Sequence, residues 1–154
     1  MAILGISTNT RLLGLAIIEE GRLTEYQIRL FKASWSPSKA TEIITSLEPC
    51  VRQYCIKRVV LSIPPKHHQT REFQFLALQI EEYFASLGIA VSIVTRGELL
   101  SLCAEGRNKT KEALMQTICT RYSQLRYCQD KELRNKNKYY HKLFEAVAAA
   151  ILHQ

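Results

Sequence analysis

The chain has 154 residues, 47% of them apolar and 23% charged, with a formal net charge of +7. That length buries one full core, so a single domain over residues 1–154 is expected, and no apolar run nears the roughly 20 residues of a membrane span. Five cysteines, an odd number without a Cys-x-x-Cys pair, fit reduced thiols and a cytoplasmic protein.

Residues 2–6 are apolar throughout and run into the polar turn Ser7-Thr8-Asn9-Thr10-Arg11, the pattern of a strand buried on both faces at the centre of a sheet. No charged leader precedes them, so they read as core and not as an export signal. Residues 12–18 form a second strand, Glu19-Glu20-Gly21-Arg22 supplies the glycine of a hairpin turn, and residues 23–31 return antiparallel with the partial alternation of an edge strand. Ser36-Pro37 caps and starts a helix carrying Ile43, Ile44, Leu47, Val51 and Tyr54 at helical spacing, kinked or restarted at Pro49. Residues 58–63 are a β-branched fourth strand stopped by Pro64-Pro65.

From Thr70 a helical face of Phe73, Leu76, Ala77, Ile80, Tyr83, Phe84 and Leu87 leads to Gly88 at the position after a helix end, and residues 89–94 make strand five. Residues 96–103 predict a short helix, 110–122 a longer one and 139–153 a last one with Tyr140, Leu143, Phe144, Val147, Ala148 and Ile151 inward, basic loops separating the last two. The expected fold class is α/β: a mixed five-stranded sheet, three antiparallel strands first and then two reached by helical crossovers, with helices on both faces.

Five of the seven net positive charges lie after Ala104. Arg107, Lys109 and Lys111 enter a helix there, and Arg134, Lys136, Lys138 and Lys142 lie among Tyr122, Tyr127, Tyr139 and Tyr140. Lysine and arginine for phosphates with rings for stacking are the ingredients of a nucleic-acid interface; the plain alternative is a solvated basic loop whose tyrosines pack on the core. A zinc site from Cys50 and Cys55 with His67 or His68 is set aside in favour of ordinary cysteine burial, and no cofactor or metal is expected.

The opening Ile3-Leu4-Gly5-Ile6-Ser7-Thr8-Asn9-Thr10-Arg11-Leu12-Leu13-Gly14-Leu15-Ala16-Ile17-Ile18 and the closing Leu143-Phe144-Glu145-Ala146-Val147-Ala148-Ala149-Ala150-Ile151-Leu152-His153 resemble the first strands and alanine-rich final helix of RuvC-type Holliday-junction resolvases, within the ribonuclease-H-like superfamily. The resemblance implies that fold over nearly the whole chain. It also implies a metal site in which an Asp ends the first strand, a Glu ends the fourth, and acidic or histidine residues sit on the last helix. The matching positions here are Ser7, Ser62, and His141 or Lys142 with Glu145, a degenerate set in which no catalytic residue is expected. Two-metal hydrolysis needs carboxylates because Mg²⁺ demands hard, charge-offsetting oxygen ligands, which serine does not provide.

The single aspartate, Asp130, is expected in a basic loop away from the strand ends, and Glu19, Glu98 and Glu145 meet only in a rearranged register. Each position also has an ordinary reading. Ser7 and Ser62 can serve free backbone groups at strand ends, Glu145 and His141 can form an i,i+4 pair, and His67-His68 can be solvated loop residues near the site mouth, with a general-base role second. The leading expectation is a catalytically silent domain that binds nucleic acid through a basic groove. Its rivals are a protein-interaction or homodimeric scaffold, and a phosphodiesterase with substituted ligands that requires Mg²⁺. A nucleotide-binding reading from the actin-like ATPases is weaker, since Ser7-Thr8-Asn9-Thr10 lacks the glycine and acid of their phosphate loops.

Overall fold

Five strands, β1 (Ala2–Thr8), β2 (Leu12–Glu19), β3 (Arg22–Leu30), β4 (Ile56–Ile63) and β5 (Val91–Thr95), pair in the order β3-β2-β1-β4-β5 in a computed structural model that describes residues 1–104, 108–136 and 138–154. β1, apolar from Ala2 to Ile6 and buried along its whole length, is central as expected. β2 and β3 join through Glu20 at φ 50° and Gly21 at φ 78°, the paired positive angles whose twist suits a two-residue hairpin. β4 and β5 run parallel to β1 and need crossovers, which the helices provide.

Helices α1 (Pro37–Thr45), α2 (Glu48–Gln53) and α3 (Arg71–Ser86) cover one face; α4 (Arg96–Leu100), α5 (Lys111–Arg121), α6 (Arg126–Arg134) and α7 (His141–Leu152) cover the other. The alternation of β1 sorts its side chains accordingly, Leu4 and Ile6 meeting α1 and α3, and Ile3 meeting α7. Phe84 and Phe144 are fully buried anchors on opposite faces, each contributing about 3 kcal/mol by burial. Ser36, Thr70 and Thr110 cap α1, α3 and α5 through their hydroxyls, and Gly88 at φ 74° takes the left-handed position after α3.

α7 crosses β1 and β2 at close range because Gly5 and Gly14 lie beneath it. A Cβ on Gly5 would overlap the carbonyl of Ala146, and one on Gly14 would overlap that of Lys142. Two glycines in the strands therefore set the depth of the final helix, and with it the position of the side chains on its first turn.

Three expectations need correction. Asp130 lies within α6 and not in a loop, and a 3₁₀ turn at Ser123–Leu125 precedes that helix. The inward positions Leu125, Cys128, Gln129 and Glu132 have helical spacing, but two are polar, so the apolar periodicity that marks the other helices is absent. The helix expected over 96–103 closes at Leu100, and strand five begins at Val91, two residues later than expected.

Candidate functional site

In the parallel ladder of β1 and β4, Ser7 stands opposite Ser62, at the carboxyl ends of the two strands. Both fall on the α7 face by the same alternation that puts Ile3 and Val60 there, and both are almost fully buried. Glu145, on the second turn of α7, reaches down to Ser7. The Ser7 hydroxyl donates to Glu145 Oε1 at 3.3 Å, and Lys142 Nζ lies 3.2 Å from the same oxygen. Ser7 thus serves a carboxylate and not the free backbone group that its strand-end position suggested.

The expected His141–Glu145 pair does not form. His141 Nδ1 instead faces Glu132 Oε2 at 3.1 Å, across from α6. Glu132 has no exposed surface, and its other oxygen accepts the backbone N–H groups of Tyr139 and Tyr140 at 2.9 and 3.1 Å, fixing the entry into α7. Burial holds the His141 pKa below its ordinary value, and the neighbouring Lys111 adds to this, against the opposing pull of Glu132, Glu145 and Glu112.

A cleft of about 300 Å³ opens over this group, bounded by the turn after β1 at Asn9 and the segment after β4 at Pro64, Pro65 and His68. Arg96, Lys111, Lys138, His141 and Lys142 line it, with Glu145 as the one carboxylate among the described residues. Two further hollows extend it, one past Thr10, Arg11 and His68, the other past Arg11, Lys136, Lys138 and Tyr139. Asn9 shapes the turn by accepting the N–H groups of Arg11 and Leu12 on its side-chain oxygen at 2.8 and 2.7 Å.

Of the predicted binding residues, Lys111, Lys136, Lys138 and Lys142 therefore share one groove. Lys109 is exposed just before α5, Arg107 lies outside the described residues, and Arg134 is exposed on α6 without lining the groove. Arg96 and Arg11 were not expected there. Arg96 directly follows β5, and the crevice at the carboxyl ends of parallel strands is where open sheets gather ligands, a signal that strand order supplies once known.

The tyrosines divide. Tyr122 is buried and donates to Gly21 O at 2.9 Å, Tyr140 packs against the core, and Tyr139 is half-buried beside the groove. Tyr127 is exposed under Lys131, whose Nζ is 4.7 Å from the ring centroid.

These residues do not fit a divalent metal centre. Among the described residues no three or more His, Cys, Asp or Glu side chains cluster as ligands. Glu19 pairs with Ala2 at the opposite end of the sheet, and Glu98 is used in the cap of α4, accepting from Thr95 N at 3.3 Å. Glu145 is left with two serines and a lysine, too little negative charge for Mg²⁺.

No protein-family model and no curated protein matches the chain. Two solved structures match it over 99% of its length. RuvC from Thermus thermophilus bound to a Holliday-junction substrate superposes with a TM-score of 0.75 at 14% identity, covering 92% of that chain. A second Thermus thermophilus RuvC structure gives 0.73 at 14% identity and 93%. The chain has the ribonuclease-H-like fold of these structures, with the mixed five-stranded sheet expected from its sequence. Among the described residues, no helix is long and apolar enough to cross a membrane.

Proposed function

We propose that this ribonuclease-H-like domain binds nucleic acid in the cleft over the carboxyl ends of β1 and β4 and does not cut it. One observation carries the reading: the cleft gathers Arg96, Lys111, Lys138, His141 and Lys142 around a single carboxylate, itself paired with Lys142. A phosphate backbone meets converging positive charge there, and the extension past Arg11 and Lys136 gives it a track longer than one nucleotide. The likeness to a RuvC chain bound to a Holliday junction makes a four-way junction the first ligand to try. The reading places the protein in the cytoplasm, where its five free cysteines stay reduced.

The test is binding of a four-way junction, a duplex and a single strand across a salt series, with and without Mg²⁺, with cleavage followed in the same samples. The expected result is affinity that falls steeply with salt and no cut product. Cleavage in Mg²⁺ would revive the phosphodiesterase reading, and salt-independent or absent binding would end the proposal. A homodimeric scaffold is favoured by one feature, the outward Phe75 and Leu78 of α3 at 40% and 52% exposure. It predicts self-association by sedimentation without nucleic-acid binding.

A further inference from the structure

The mismatch with a metal centre has a positive side. Lys142 Nζ is 3.2 Å from Glu145 Oε1, the oxygen that also receives the Ser7 hydroxyl at 3.3 Å. The Lys142 and Glu145 side chains are 19% and 20% exposed, so the pair is held by its surroundings yet opens on the cleft. An ammonium group has three donors and no acceptor. With one donor on Glu145, the remainder are available to an anion in the cleft, where Arg96 and Lys111 add charge.

A divalent ion seated at its usual distance of about 2.1 Å from the same carboxylate oxygen would lie within about 5 Å of the ammonium, two cations sharing one counter-charge. We infer that Lys142 is a tethered cation: it binds a phosphate group of nucleic acid in place of a metal ion, and it keeps metal out of the site. The phosphate ligand rests on the proposed nucleic-acid reading; the exclusion of metal does not.

The experiment uses the full chain, Mn²⁺ alone followed by electron paramagnetic resonance, and duplex or junction DNA titrated with EDTA or with Mg²⁺. Three proteins are compared: wild type, Lys142→Gln, and a double variant carrying Ser7→Asp and Lys142→Asp. Wild type is expected to leave millimolar Mn²⁺ free and to bind DNA no more tightly in Mg²⁺ than in EDTA. Lys142→Gln is expected to bind DNA about tenfold more weakly in EDTA and to regain part of the loss in Mg²⁺, as the freed Glu145 and the DNA phosphate together supply the negative charge that holds the ion. The double variant is expected to retain one Mn²⁺ and to melt at higher temperature with it.

Stoichiometric Mn²⁺ on wild type would overturn the inference whatever the DNA result. So would Lys142→Gln binding DNA like wild type in EDTA, or showing no gain in Mg²⁺ relative to wild type. Absence of DNA binding by wild type would overturn the proposed function alone, and the Mn²⁺ measurements would still decide the exclusion. If the double variant fails to fold, Lys142→Gln and wild type carry the test.

Discussion

Replacing Gly14 with alanine is the sharpest test of how the site is built. The added Cβ would lie 2.7 Å from Leu143 N and nearer still to the carbonyl of Lys142, where ordinary contacts begin at 3.4 Å. Both atoms belong to helix backbone, which cannot rotate aside as a side chain can, so the start of α7 must retreat by roughly 0.7 Å or more. Ser7 reaches Glu145 across a 3.3 Å bond that has no slack for such a shift, so the hydroxyl is lost as a partner.

Overpacking of this kind costs about 2–3 kcal/mol, which for a domain of this size is a drop of roughly 4–10 °C in Tm. Urea and thermal denaturation measure it, with Gly97→Ala as the control. Gly97 lies in α4 with nothing nearer than Thr95 Oγ1 at 3.9 Å, so alanine there is expected to stabilise by up to about 1 kcal/mol. A Gly14→Ala protein within about 0.5 kcal/mol of wild type would refute the claim that glycine sets the depth of α7.

Glu145→Gln removes the only carboxylate that the described residues bring to the cleft and frees Lys142, so DNA binding is expected to tighten about three- to tenfold at low salt; weaker binding in a titration would contradict it. Glu132→Ala strips the acceptor from the backbone N–H groups of Tyr139 and Tyr140, and should cost about 3 kcal/mol in urea unfolding, with Glu132→Gln milder because its amide oxygen still accepts. The His141 pKa is lowered in the fold, so between that value and about 6.5, its unfolded value, the unfolded chain binds more protons. Stability is therefore complete above about pH 6.5 and declines as pH falls through this window. His141→Gln should flatten that slope in urea melts at pH 5 to 8, and an unchanged slope would assign it to another group.

The succession of elements along the chain, the central place of β1, the hairpin at Gly21 and the cap at Ser36 were legible in the sequence because each has a local cause: an apolar run, a positive-φ glycine, or a hydroxyl ahead of a periodic face. The convergence of Ser7, Ser62 and Glu145 was legible only through the resemblance, since they lie on three separated elements. α6 stayed hidden because its buried face carries Gln129 and Glu132, which no hydrophobic period reveals. The true partner of His141 was hidden with it: Glu132 approaches from α6, and an argument from spacing along α7 sees only Glu145. Arg96 was passed over because its role depends on where β5 ends relative to β1, which is a property of the sheet and not of its own neighbours in the chain.

The bond between Ser7 and Glu145 joins residues 138 positions apart. β1 is made well before α7, so during synthesis the glycine-floored strip of β1 and β2 must wait for the residues between them to emerge before its cover arrives. A search over so long a span slows folding and leaves that strip open to mispairing meanwhile. The cleft is thus completed in a single late step, and a nascent chain stalled before α7 would present an uncovered sheet face with none of the lysine, histidine or glutamate that α7 brings to the cleft.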